Sequence, residues 1–200
     1  MLDTLARQWI DPPLNALARA LPAQINANAV TVAGLGFGLG GAALVALGWP
    51  GLALVGLAVS RLCDGLDGPI ARRTSATDRG AYLDIVCDFI FYGAWPLAFA
   101  LNDPSANALA ACVLLASFYF NGASFLAFAI FAAKRGMETR AQGHKSLFFS
   151  AGLAEGTETI AVFVAMCLWP QSFVWLALGF ALICVLTALC RMVLAWRVFG

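Results

Sequence analysis

Apolar runs of membrane length constrain this chain more than any other feature. Six of them lie at residues 28–48, 51–70, 80–101, 108–133, 147–168 and 172–190, with short polar stretches between. A bilayer core takes roughly 20 helical residues to cross. Inside lipid a chain must satisfy its own backbone hydrogen bonds, so such runs fold as helices. With 62% hydrophobic and 12% charged residues, a soluble domain is excluded. The expected fold is all-α: a polytopic membrane bundle of six transmembrane helices over residues 26–200, preceded by an interfacial amphipathic segment over residues 1–25.

That first segment places Leu2, Leu5, Trp9, Leu14, Leu17 and Leu21 at helical spacing, with Asp3, Arg7, Asp11 and Arg19 between them. It is too polar to span, and its pattern suits the headgroup region. Asp11-Pro12-Pro13 is expected to stop one helix and start another, because proline has no amide for the preceding turn. Asp3 and Arg7 precede any apolar run, unlike a cleavable signal peptide. The first span carries glycines at 34, 36, 38, 40 and 41, which permit close helix packing in lipid. Six cysteines (63, 87, 112, 167, 184 and 190) fall in apolar runs without metal or CxxC spacing; they read as small buried hydrophobes. A net charge of +1 gives no reason to expect a nucleic-acid partner, and no internal repeat or second soluble domain is visible.

Against this background the stretch from Asp64 to Asp88 stands out. It holds Asp64, Asp67, Asp84 and Asp88 between long apolar runs. Carboxylates in such a setting need partners and mark function. Asp64 and Asp67 are i and i+3, Asp84 and Asp88 are i and i+4, so each pair shares a helix face. Two such helices facing each other form a cage of oxygens, which suits Mg²⁺ or Mn²⁺, and more than one ion. No histidine is near, which argues against zinc. All twelve Lys and Arg residues fall on one side of the six-span arrangement. The positive-inside rule then puts both termini and the acids at the cytoplasmic face.

The residues Asp64, Asp67, Gly68, Ala71, Arg72, Gly80, Asp84 and Asp88 resemble the signature D-x2-D-G-x2-A-R-x8-G-x3-D-x3-D of the CDP-alcohol phosphotransferase family. Seven residues, 73–79, separate Arg72 from Gly80, where the family has eight; the shortening falls in the expected loop between two helices. Asn28-Ala29-Val30-Thr31 also resembles the family's N-x-x-T at the start of its first helix, which brings Thr31 near the nucleotide.

The resemblance implies a phospholipid-synthesis enzyme of the bacterial inner membrane. Its donor would be CDP-diacylglycerol or a similar CDP-alcohol, its acceptor a small or lipid alcohol, and its leaving group CMP. Asp64, Asp67, Asp84 and Asp88 are implied to hold two Mg²⁺ or Mn²⁺ ions, with Asp88 also the general base. Gly65 and Ala71 would leave room for the cytidine, Gly68 and Gly80 would let backbone approach the diphosphate, and Arg72 offers a planar fork to phosphate. A homodimer is the family expectation. Glu155 and Glu158, at i and i+3 within the fifth run, are acceptor-pocket candidates, as are the basic residues Lys134, Arg135, Arg140, Lys145 and Arg191. His144 reads as an exposed loop residue. The alternative from another class is a divalent-cation or proton transporter that uses intramembrane acids.

Overall fold

The computed structural model describes residues 2–22, 24–74, 76–137 and 154–200. Every element among them is helical. In chain order they are α1 (Leu2–Ala20), α2 (Ala27–Ala46), α3 (Pro50–Thr74), α4 (Asp78–Asn102), α5 (Pro104–Lys134), α6 (Gly156–Leu168), a 3-10 turn (Pro170–Ser172) and α7 (Phe173–Phe199).

Local chemistry sets the ends of these helices. Asn26 opens α2 by accepting from the Asn28 amide at 2.9 Å. Gly48, at φ +88°, closes it in a left-handed cap that returns the Trp49 amide to Leu44 O at 2.8 Å; a side chain would be strained there. Thr77 caps α4 by accepting from the Gly80 amide at 3.1 Å. Asp103 caps α5, accepting from Ala106 N at 3.0 Å and from Ser105 Oγ at 2.7 Å. The Ser105 hydroxyl and the Ala106 amide hold its carboxyl below the ordinary carboxylate range.

Among the described residues, four segments are long and apolar enough to cross a membrane: α2, α4, α5 and Pro170–Phe199. Two of the six expected spans differ. Helix α3 has the length, but Arg61, Asp64, Asp67, Arg72 and Arg73 crowd its second half. In the fifth run the described helix is Gly156–Leu168, of 13 residues; residues 147–153 of that run lie outside the described residues. The break expected at Asp11-Pro12-Pro13 does not occur, since α1 runs through both prolines. They lie on an exposed face, where solvent or headgroups can take the carbonyls that the missing amides leave.

The bundle is knit by small residues on one side and aromatics on the other. A Cβ on Gly56 would lie 2.8 Å from Phe37 O and 2.9 Å from Gly41 Cα. Helices α2 and α3 therefore pack backbone to backbone, as the glycine-rich first run suggested. At the centre Trp95 stacks on Phe163 with centroids 5.5 Å apart, and Phe99 stacks on Phe173 at 4.6 Å. These four rings are fully or almost fully buried. Leu109 at 78% exposure, Tyr119 at 81% and Trp175 at 80% project outward instead, the inverse of a soluble surface and a fit to lipid. Of the cysteines, all free, Cys112 and Cys190 are exposed rather than buried, because they fall on this outward face.

Helix α1 lies against α3. Leu14, Ala18 and Leu21 pack on Leu66 and Ile70, while Trp9 is 83% exposed. Arg73 of α3 donates to Ala18 O and Leu21 O. It thus covers carbonyls that the end of α1 leaves open.

Candidate active site

Helices α3 and α4 meet α2 at one small cavity of about 10 Å³, room for about one water. Thr31 from α2, Asp64 and Asp67 from α3, and Asp84 and Asp88 from α4 all line it, with Ser60, Arg61 and Phe91. The structure therefore brings the four sequence-selected acids to one place. The spacings explain it: each pair shares a face, and both faces turn toward α2.

Their surroundings differ. Asp67 is buried at 8% exposure and its Oδ2 accepts from Thr31 Oγ1 at 2.6 Å, a short charge-assisted bond. Thr31 was expected beside the nucleotide; its hydroxyl is held on Asp67. The side chains of Asp64 and Asp88 are 39% and 34% exposed. Arg61 sits between them, its Nη1 3.4 Å from Asp64 Oδ2 and 3.4 Å from Asp88 Oδ1. Sequence reasoning did not assign Arg61 to the site. The available signal was a cation one helical turn before Asp64 in an apolar run.

Four carboxylates on one cavity supply the hard oxygen donors that Mg²⁺ or Mn²⁺ prefers over the one thiol in its lining, Cys87, so the donor chemistry fits these ions. Among the described residues, no three His, Cys, Asp or Glu side chains close around a common point at ion-binding distance. Like-charged carboxylates keep apart, and the Arg61 guanidinium stands between two of them.

The motif glycines lie along α3 and α4 outside the cavity wall. A Cβ on Gly65 would be 2.6 Å from Leu14 Cδ1, so the space beside Gly65 holds a side chain of α1. A Cβ on Gly68 would meet only Arg72 Nη1 at 3.4 Å, which leaves its backbone approachable. Gly80 lies near Asn28, whose Oδ1 would be 3.0 Å from an added Cβ. Ala71 is half-buried and Arg72 exposed at the end of α3. The motif's shortened spacing falls where expected, since α3 ends at Thr74 and α4 begins at Asp78.

The acceptor candidates scatter. Arg191 of α7 donates to Asn121 Oδ1 at 2.9 Å, Asn121 O at 3.1 Å and Ser124 Oγ at 2.7 Å, and lines a second cavity of about 440 Å³ with Phe128, Phe131 and Trp196. Arg135 caps the end of α7 through Val198 O at 2.9 Å and Phe199 O at 2.6 Å. Lys134 is exposed in the last turn of α5. Glu155 and Glu158 lie at the start of α6 rather than well along a fifth span. Glu158 reaches back to the Glu155 amide at 3.3 Å in a capping box. Arg140, His144 and Lys145 lie outside the described residues.

Residues 24–196 match the profile of the CDP-alcohol phosphatidyltransferase family. A relative from Escherichia coli (strain K12), named inner membrane protein YnjF, is 43% identical over 192 residues, covering 96% of this chain and 93% of its own length. The matched span, residues 24–196, contains the motif positions and nearly the whole helical framework, and the chain belongs to the CDP-alcohol phosphatidyltransferase family.

Proposed function

We propose that this protein transfers a phosphatidyl group from CDP-diacylglycerol, or a similar CDP-alcohol, to an acceptor hydroxyl at the cytoplasmic face of a bacterial inner membrane. The observation that carries the reading is the gathering of Asp64, Asp67, Asp84 and Asp88 from two helices onto one cavity, at the spacing of the family motif. Six spans and a homodimer complete the reading, with α3 and the fifth run crossing beside the four segments already long and apolar enough.

In the reaction the acceptor oxygen attacks the phosphorus that bears the lipid alcohol. A new P–O bond forms, the P–O bond to the CMP oxygen breaks, and CMP leaves. Asp88, partly exposed beside the cavity, takes the acceptor proton on its carboxylate. Asp64, Asp67 and Asp84 would hold Mg²⁺ or Mn²⁺ together with Asp88; such an ion neutralises phosphoryl and leaving-group charge when bound. Thr31 fixes Asp67 in orientation. Gly68 leaves backbone open to a diphosphate, and the exposed Arg72 offers it a fork of donors.

The test is CMP release by purified protein in detergent, with CDP-diacylglycerol, Mg²⁺ and a panel of acceptor alcohols. Wild type is expected to release CMP only when an acceptor is present. Asp88→Asn is expected to lower the rate by 10²-fold or more, in line with loss of a general base, while still binding nucleotide. Equal rates for both proteins would remove Asp88 from the chemistry. No release with any acceptor, together with metal flux into liposomes, would favour transport.

A further inference from the structure

Among the described residues Arg61 is the one basic residue on the wall of the acid cavity, and its contacts do not exhaust it. Nη2 donates to Ser60 Oγ at 3.2 Å, and Cζ lies 3.9 Å from the Phe91 ring centroid. Nη1 reaches Asp64 and Asp88 at 3.4 Å each. Both distances exceed the 2.7–2.9 Å of a tight charge-assisted bond. Nε is buried without a hydrogen-bond partner, a costly arrangement for an arginine kept only for structure. The guanidinium is therefore held on the wall by Ser60 and Phe91, and held loosely to the two acids.

Resting on the metal-binding reading of those acids, we propose that Arg61 is an internal counter-ion that competes with divalent cations for Asp64 and Asp88. It sets the cation concentration at which the site loads. A guanidinium and a divalent ion cannot share the same carboxylate oxygens without strong repulsion, so loading requires Arg61 to give up both contacts. Ser60 and Phe91 give it somewhere to remain. The device keeps Asp64 and Asp88 from repelling each other apart and raises the threshold for ion entry.

Mn²⁺ titration followed by electron paramagnetic resonance, without nucleotide, tests this on wild type, Arg61→Gln, Arg61→Lys and Asp64→Asn. Arg61→Gln is expected to bind Mn²⁺ about tenfold tighter than wild type, the scale of one unit charge removed from beside a dication. Arg61→Lys, a point charge without the fork, is expected about threefold tighter, and it serves alone if the glutamine variant does not fold. In EDTA the two Arg61 variants should melt below wild type, and saturating Mg²⁺ should close the gap. Affinity in both Arg61 variants equal to or weaker than wild type overturns the counter-ion role. If Asp64→Asn loses Mn²⁺ at the same time, the metal reading stands without it. Absence of Mn²⁺ binding by wild type and every variant overturns both.

Discussion

A carboxylate at 8% exposure on an apolar helix needs a donor, and Thr31 supplies it to Asp67. Thr31→Val keeps the shape and removes the hydroxyl. It is expected to cost about 1.5–3 kcal/mol, the worth of a hydrogen bond to a charged group, read as a lower melting temperature in detergent. Full wild-type stability in that variant would mean the bond contributes nothing. At this scale the acids were legible in the sequence because their meaning lies in spacing: i, i+3 and i, i+4 fix a shared face before any neighbour is known. The Thr31–Asp67 bond and the Arg61–Asp88 contact were not legible. Each joins different helices, and which side chains meet there depends on how closely those helices approach. Glu155 and Glu158 show the opposite failure. Their spacing fits a shared helix face and a capping box equally well, and only the place where α6 begins decides between them.

Helices α2 and α3 carry the wall of the site, and their closeness depends on Gly41 and Gly56. Gly56→Leu would push a side chain into backbone at Phe37 O, 2.8 Å from the new Cβ alone. The expected result is a loss of about 1–3 kcal/mol by overpacking, with a fall in CMP release as the acids of α3 shift. Gly93→Ala on α4, where an added Cβ meets nothing within 4 Å, should stay within about 0.5 kcal/mol of wild type. The two melts side by side separate packing from generic glycine loss. The glycine run announced close packing in the sequence but not which partner it would meet. Helix α1 is a second case. Its apolar stripe was readable, whereas its unbroken passage through Pro12 and Pro13 was not. The cost of proline depends on whether the freed carbonyls can find partners, which is a property of exposure. Arg73→Leu removes the donors at the end of α1; limited proteolysis should then cut near residues 18–26 faster than in wild type.

Over the whole molecule, apolar runs and the placement of charge made the class of fold readable: an all-helical membrane chain with aromatics at its centre and leucine, tyrosine and tryptophan facing out. The number of spans was less readable, because α3 combines spanning length with functional charge. Reporter fusions after residues 103 and 200 address the orientation. The loop at Asp103 is expected outside the cytoplasm and the C-terminus inside, since the six-span arrangement expected from the sequence would put all twelve Lys and Arg residues on the opposite side from that loop. A fusion at residue 103 that reports from the cytoplasm would reverse the arrangement and move the acids to the wrong face for a cytosolic nucleotide. Anomalous scattering from crystals grown with Mn²⁺ and a CDP-alcohol shows whether divalent ions join the acids of α3 and α4 to a nucleotide's phosphates. Strong peaks are expected among Asp64, Asp67, Asp84 and Asp88, within bonding distance of their oxygens; density for a bound CDP-alcohol with no metal peak among these four side chains would mean that no ion links them.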